Sequence, residues 1–448
     1  MAVELLTIAE RVVSQAREGE EVEAYISRAR DTEVKVFDGE VESLSSAETE
    51  GVGVRVIVDH KQGFAYSGSL DADAVAEALA EARDNAGFGT EDEYLGLPAP
   101  DGVAPAILDL YRDDLASVAA EEKVNLELEI ERATRAADSR IRGVETAEYG
   151  DAAVEAAIAS TTGVRSTARR TVCSVYAYAL AGEGSETQTG YGYDVGRHPD
   201  ELDLNKASTM AAERATAMLG AKQPASRKIT VVLDPLVTAS FLGVLSSALS
   251  GESVLKGRSM FAERVGESVA ASTFTLTDDP TNPEAFGAAP YDAEGLATRR
   301  NELIHGGLLH GFLQNTYTGR RSGTATTGSA VRGGFKSTPG VGSRALSLVP
   351  GEKTQEELLA EVGEGLLVRS AIGLHSGANP VSGDFSVGVE GLMIRNGTLA
   401  EPVREATMAS TIQRMLLDVS AIGSDLEWLP GGAAGVTVVI ADVSLSGS

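Results

Sequence analysis

The 448-residue chain carries 66 Asp and Glu against 38 Lys and Arg, a formal net charge of −28, which argues against a general attraction to nucleic-acid backbones or anionic membranes. Hydrophobic residues make up 43% and charged residues 23%, the composition of a folded chain, so extensive disorder is excluded. Its length exceeds what one core usually organises, and two domains of roughly 200 residues each are expected.

Residues 3–18 place Leu5, Leu6, Ala9, Val12 and Val13 at helical spacing. No basic segment leads into an apolar core at the N-terminus, and no run of about eighteen apolar residues occurs, so a cytoplasmic location is expected. The period then changes to two. Residues 22–27, 33–37 and 52–58 alternate as half-buried strands, with turns expected at Asp38-Gly39 and at Lys61-Gln62-Gly63. Asp71 is placed to cap a helix over 72–86, and a Pro- and Gly-rich connector follows. A second cycle has a helix over 116–137, several strands over 142–195 and a helix over 203–219. Cys173, the single cysteine, lies in one of these strands and reads as a small buried hydrophobe; with no second cysteine, neither an internal disulfide nor a thiolate metal cluster can form.

Residues 220–226 read as an interdomain linker, dividing the chain into an N-terminal domain, 1–222, and a C-terminal domain, 223–448. The second half opens with a buried-strand signature over 228–233, and Asp234-Pro235 starts a helix to about 250. Two passages have hairpin grammar, Asn301 to Leu309 around Gly306-Gly307 and Pro380 to Leu399 around Asn396-Gly397. Between them, 319–342 is rich in Gly, Ser, Thr and Arg with little apolar content and reads as a functional loop or a disordered segment. Helices are expected over 354–361 and 403–417, and a last strand over 435–443. The fold class is therefore α+β: an N-terminal antiparallel sheet packed by helices, then a β-rich domain of hairpins.

Familiar catalytic patterns are missing. The five histidines form no His-Glu-x-x-His, and His305 and His310 flank a glycine turn instead of sharing a helix face. There is no Gly-x-Ser-x-Gly, no dinucleotide fingerprint and no phosphate-loop lysine. What stands out is arginine in an acidic chain, at Arg299-Arg300, Arg320-Arg321 and Arg332, since a guanidinium grips a carboxylate bidentately. The loop Ser382-Gly383-Asp384-Phe385-Ser386 is the other candidate, with an Asx turn at Asp384 as its plainer role.

Ser382 to Ser386, Ile394-Arg395-Asn396-Gly397 and Pro402-Val403 resemble the C-terminal signature of the TldD/PmbA family of metallopeptidase-related proteins. So do Asp292-Ala293-Glu294-Gly295, Leu309-His310-Gly311-Phe312-Leu313, Val36 to Glu40 and Glu50 to Arg55, and the likeness spans nearly the whole chain. The catalytic branch of that family carries His-Glu-x-x-x-His on a helix as zinc ligands and base, with a further cysteine near the C-terminus. Counted back from Lys256-Gly257, those positions hold Leu242, Gly243 and Ser247, and no cysteine follows residue 173. The resemblance thus implies the non-metal TldE (PmbA) branch. It implies a partner subunit, without catalytic or metal residues of its own, in a heterodimer with a TldD-like zinc metallopeptidase that degrades or processes unfolded or modified peptides. Zinc is expected in that partner only. Arg320, Arg321, Arg332, Ser382, Asp384, Phe385 and Ser386 are the candidates for peptide or partner contact. The alternative is a stand-alone homodimeric peptide-binding module.

Overall fold

In the computed structural model, which describes residues 2–447, helix α1 (Ala2–Val13) leads into β1 (Glu21–Phe37), β2 (Glu40–Val58), β3 (Lys61–Ser67) and helix α2 (Ala72–Gly87). A second cycle follows as α3 (Ala120–Ala137), β4 (Ile141–Ser160), β5 (Arg165–Ala181), β6 (Gln188–Gly196) and α4 (Leu204–Ala217). The strands form one sheet in the order β3-β2-β1-β4-β5-β6. The two cycles meet where Glu23 to Val36 of β1 run antiparallel to Ser160 to Ala147 of β4.

Side chains alternate across a strand, and this decides what each face of the sheet does. Val22, Ala24 and Ile26 of β1 and Val52, Val54 and Val56 of β2 pack with Leu5 and Val12 of α1 and with Val75 and Leu79 of α2. Val34 and Val36, farther along β1, join Val175 and Ala177 of β5 under Ile130 of α3 and Ala207 and Ala211 of α4. The intervening residues, among them Glu23, Tyr25, Gly53 and Arg55, lie on the opposite face.

The C-terminal half begins with β7 (Arg227–Leu233), α5 (Pro235–Ala248) and α6 (Gly251–Leu255), followed by β8 (Leu276–Asp278), β9 (Asn301–His305), β10 (Leu308–Leu309), α7 (Thr316–Ser322), β11 (Ala330–Val331), β12 (Gly340–Val341) and β13 (Leu346–Leu348). Next come α8 (Gln355–Val362), β14 (Gly365–Ile372), α9 (Leu374–Gly377), β15 (Asp384–Arg395), β16 (Thr398–Thr411), α10 (Ile412–Leu417), β17 (Val419–Ile422), β18 (Glu427–Trp428), β19 (Ala434–Gly435) and β20 (Val438–Ser446). The main sheet has the order β16-β15-β14-β7-β20-β17, and β16 also pairs with β20 through Thr407–Ala409, which closes five of the strands on themselves. Val231, Leu233, Leu366 and Val368 pack with Phe241, Leu242 and Leu245 of α5. The alternate residues Val232, Leu367 and Ile394 pack with Leu358 and Leu359 of α8. The α5 N-terminus follows its sequence signal, with Pro235 in the first turn and the Asp234 carboxylate accepting from the Leu236 N–H at 3.1 Å.

The α+β class and both glycine hairpins are as expected, and Asn396 (φ 51) and Gly397 (φ 77) form the β15–β16 turn. Five expectations fail for local reasons. Asp71 stands at the N-terminus of α2 without a side-chain capping bond, its carboxylate accepting from the Ser69 hydroxyl at 2.9 Å. The expected helix over 403–417 is strand to Thr411, and only Ile412–Leu417 is helical. A bulge opposite Glu390, with Glu405 at φ 53, breaks the twofold period there and mimics helical spacing. The β2–β3 turn lies at Asp59 (φ 48) and His60 (φ 57), because Lys61, Gln62 and Gly63 already pair with Val58, Ile57 and Val56. Helix α3 starts at Ala120, since Leu115–Ser117 form a separate 3-10 turn. Finally, 319–342 is structured: it begins inside α7, capped at Asn315 by a reciprocal side-chain and backbone box, and continues through β11 and β12. The Gly220 to Ser226 connector lies against β16, with the Lys222 N–H donating to Pro402 O at 3.3 Å and its carbonyl accepting from Arg404 N–H at 3.2 Å.

Two consequences can be measured. A Cβ at Gly53 would collide with the backbone oxygen of Phe335, where the glycine-rich segment lies on β2. Gly53→Ala is expected to destabilise the chain by about 1–3 kcal/mol, read from denaturant midpoints, whereas alanine at the open position Gly243 should not.

The Glu127 carboxyl on α3, with no hydrogen-bond partner on either oxygen, is pushed up by burial and by Glu148 and Glu131 to about 9. Between its ordinary value of 4.5 and about 9 the folded chain keeps a proton that the unfolded chain releases, so stability falls as pH rises through that window. Glu127→Gln is expected to flatten that decline, gaining melting temperature over the wild type at about pH 8 relative to about pH 5.

Candidate functional site

The face of the first sheet turned away from its helices carries charge where hydrocarbon would otherwise pack. Arg55 Nη2 donates to Glu23 Oε2 at 2.7 Å, and Arg332 Nη2 donates to Glu23 Oε1 at 2.8 Å and to the Ala293 carbonyl at 2.6 Å. The side chains of Glu23, Arg55 and Arg332 are 1%, 8% and 2% exposed. The Arg332 guanidinium also lies 4.5 Å from the centre of the Tyr25 ring. Burial alone would raise the Glu23 carboxyl, yet Arg55 and Arg332 outweigh it and hold it below its ordinary range.

The second half contributes the loop Asp292-Ala293-Glu294-Gly295. Glu294 Oε1 lies 4.0 Å from Arg55, and its Oε2 accepts from the Thr316 N–H at 2.9 Å and the Thr316 hydroxyl at 2.6 Å, tying the network to the first turn of α7. Asp292 accepts from the N–H groups of Glu294, Leu296 and Ala330 at 2.9, 3.0 and 3.2 Å. Burial, followed by the charge of Glu294, pushes Asp292 up to about 7 despite those bonds. Gly295 has φ +79, and a Cβ there would press on Val164 and Ser166 of the first half. Two guanidiniums and two carboxylates, Arg55, Arg332, Glu23 and Glu294, thus join the halves, and Asp292 holds the loop that carries Glu294.

On one side of this network opens a cleft of about 530 Å³. Its lining includes Arg55, Asp92, Glu252, Lys256, Tyr317 and Arg321, drawn from β2, the 90–96 segment, α6 and α7. The Tyr317 hydroxyl donates to Asp92 at 2.8 Å, and Lys256 pairs with Glu252 one helical turn back. These are groups that hold polar chain.

The predicted residues separate into two places. Arg332 is in the buried network. Arg320 donates to the carbonyls of Gly96 and Leu97 at 2.8 and 2.9 Å, and Arg321 donates to the Tyr317 hydroxyl at 2.6 Å on the cleft wall. The Ser382–Ser386 loop lies elsewhere, beside α5: Phe385 is buried, its ring 6.0 Å from that of Phe241, while Ser382, Asp384 and Ser386 are exposed. The Ser382 hydroxyl donates to Asp384 at 2.7 Å, a turn-closing bond. Glu23, Arg55, Asp292 and Glu294 are site residues that no local sequence pattern marks, although the last three stand inside the blocks that carry the family resemblance.

A metal does not fit where the resemblance would set one. Leu242 is fully buried against the sheet core, and Gly243 and Ser247 face outward on α5 without a ligating group. Cys173 is buried in β5 of the other half, and burial pushes its thiol up, away from the thiolate a metal needs. His305 and His310 share Glu302, at 3.0 and 3.9 Å. Among the described residues no group of three or more His, Cys, Asp and Glu side chains is placed to hold a metal ion.

Profiles described as PmbA/TldA metallopeptidase domain 1, central domain and C-terminal domain match residues 22–86, 113–219 and 226–447. The chain is 26% identical to the metalloprotease PmbA of Escherichia coli O157:H7 over 94% of its length and 92% of that protein. It is 24% identical to a metalloprotease TldD homologue of Haemophilus influenzae, over 90% of the chain and 85% of the relative. Among solved structures, TldE from Thermococcus kodakarensis superposes with a TM-score of 0.89 at 22% identity and full coverage of both chains, and a Thermotoga maritima protein with 0.90 at 24%, over 98% and 99%. No helix among the described residues is long and apolar enough to cross a membrane.

The network predicts its own sensitivity. Arg332→Ala leaves Glu23 buried with half its compensation and is expected to cost about 3–5 kcal/mol in chemical denaturation. Adding Glu23→Gln should recover part of that loss, since the uncompensated charge is then removed.

Proposed function

This chain belongs to the TldD/PmbA metallopeptidase family, and we propose that within it the protein is the subunit that lacks a metal site and works beside a zinc-bearing relative. The observation that carries this reading is α5. The positions that would supply His, Glu and His hold a core leucine, a glycine and a serine, so hydrolytic chemistry comes from the partner. What this chain supplies is a peptide-holding surface. The cleft between the halves offers buried charge at its base and polar side chains along its wall, groups that bond an extended backbone with little dependence on sequence. The Ser382–Ser386 loop, exposed beside α5, is the corresponding partner contact, and the cytoplasm is the compartment in which the pair works.

The test is reconstitution with a relative from the same host that carries His-Glu-x-x-x-His. Hydrolysis of an unstructured peptide is expected from the mixed complex, at a rate at least about tenfold above either chain alone, a difference of about 1.4 kcal/mol in barrier. Changing the histidines of the partner's motif should abolish it. Zinc-dependent turnover by the isolated chain would overturn the reading, and a homodimer that binds peptide but is indifferent to the relative would favour a stand-alone binding module.

A further inference from the structure

Bordering the buried network at Arg332 and Asp292 lies a second cavity of about 160 Å³ between β4, β5 and residues 288–293. Four arginines line it, Arg169, Arg170, Arg332 and Arg344, in a chain whose acidic residues outnumber its basic ones by 66 to 38. Two of them are satisfied. Arg169 donates to Asp113 at 3.0 Å and stacks over Tyr111, and Arg332 bonds Glu23, although its Nε is buried without an acceptor.

The other two are not. Among the described residues Arg170 has no hydrogen-bond or ion-pair partner. Burial, then the charge of Arg344, pulls its pKa down. Arg344 makes a single side-chain bond, from Nη2 to the Ala330 carbonyl at 3.5 Å, and its Nε is buried with no acceptor. Arg197, beside Arg170, finds carbonyls for its guanidinium, those of Thr171 and Ala285. Asp292 is the carboxylate in the cavity lining, and its oxygens already accept from the backbone N–H groups of Glu294, Leu296 and Ala330.

Unpaired guanidiniums that repel one another across a small cavity are unfavourable in the empty chain, and a planar anion between them removes both the repulsion and the unmet donors. We propose that this cavity is a carboxylate-binding site, with Arg170 and Arg344 as the recognising forks. The apolar wall formed by Val154, Ala156 and Ala288 suits the carbon end of a carboxylate. Resting on the reading that this chain holds peptide, the group it takes is a peptide's C-terminal carboxylate; a free small carboxylate has the same chemistry, and the experiment separates the two sources.

Calorimetric titration of the isolated full chain with an unstructured pentapeptide as free acid, with its C-terminal amide and with propionate decides the matter. The free acid is expected to bind, and the amide to bind at least about tenfold more weakly. Arg170→Gln with Arg344→Gln should lose the same factor for the acid, with sodium chloride at equal ionic strength inert. Arg170→Gln alone breaks no bond of the empty chain, so its melting temperature without ligand should rise slightly while the ligand-induced shift disappears. Propionate binding that the double variant loses, with neither peptide bound, supports the carboxylate site and assigns it to a free small acid. Equal binding of acid and amide, or unchanged binding by the double variant, would overturn the proposal. Because no partner subunit is present, this result is read separately from reconstituted proteolysis.

Discussion

Glu23 is the pivot of the molecule. One carboxylate, almost fully withdrawn from water, takes a guanidinium from its own sheet and another from a residue 309 positions away in sequence. Among the described residues Arg332 pairs with no other carboxylate, and an unpaired buried ion costs several kcal/mol. Arg55 is tied in turn to Glu294, and Glu294 to the start of α7. The relation between the two halves therefore rests on a charge balance, where a hydrocarbon interface would permit sliding. Hydrogen bonds of fixed geometry specify one arrangement.

This constraint explains features with no local reason. Gly51 and Gly53 of β2 are bare because Phe335, three residues beyond Arg332, lies on the strand and a Cβ would meet it. Gly295 takes a left-handed conformation because its loop turns against Val164 and Ser166. The long stretch poor in hydrocarbon, 319–342, has little core of its own to build; it is shaped by what it touches. The cleft borders the network at Arg55 and Glu294 and the arginine cavity at Arg332 and Asp292, so a ligand in either meets a wall already held in place.

The metallopeptidase ancestry and the absence of ligands on α5 are compatible for a physical reason. Leu242 contributes to the core that unites α5 with the closed sheet, so the helix is kept by packing, independently of any metal. A helix whose inner face is apolar stays folded without any metal-ligating side chain. Phe385 packs on Phe241 of that helix, which makes the Ser382–Ser386 block a support of the α5 region.

Much was legible in the chain itself. Period-two runs marked the strands of the N-terminal sheet, Asp234-Pro235 and Asn396-Gly397 marked a helix start and a turn, and the blocks Asp292 to Gly295 and Ser382 to Ser386 marked the family. These are local signals, set by backbone sterics and side-chain alternation, and they need no knowledge of distant partners. Where a local irregularity intervened, as at the bulge around Glu405, the reading failed, because one extra residue in a strand imitates helical spacing. Tertiary structure alone decided that Glu23 would meet Arg332, that Arg320 would serve backbone carbonyls while Arg170 would go unpaired, and that the two helix-and-meander cycles would share one sheet. Such pairings depend on which strand face turns toward which half, and the charge of a residue does not say where its counter-charge will be.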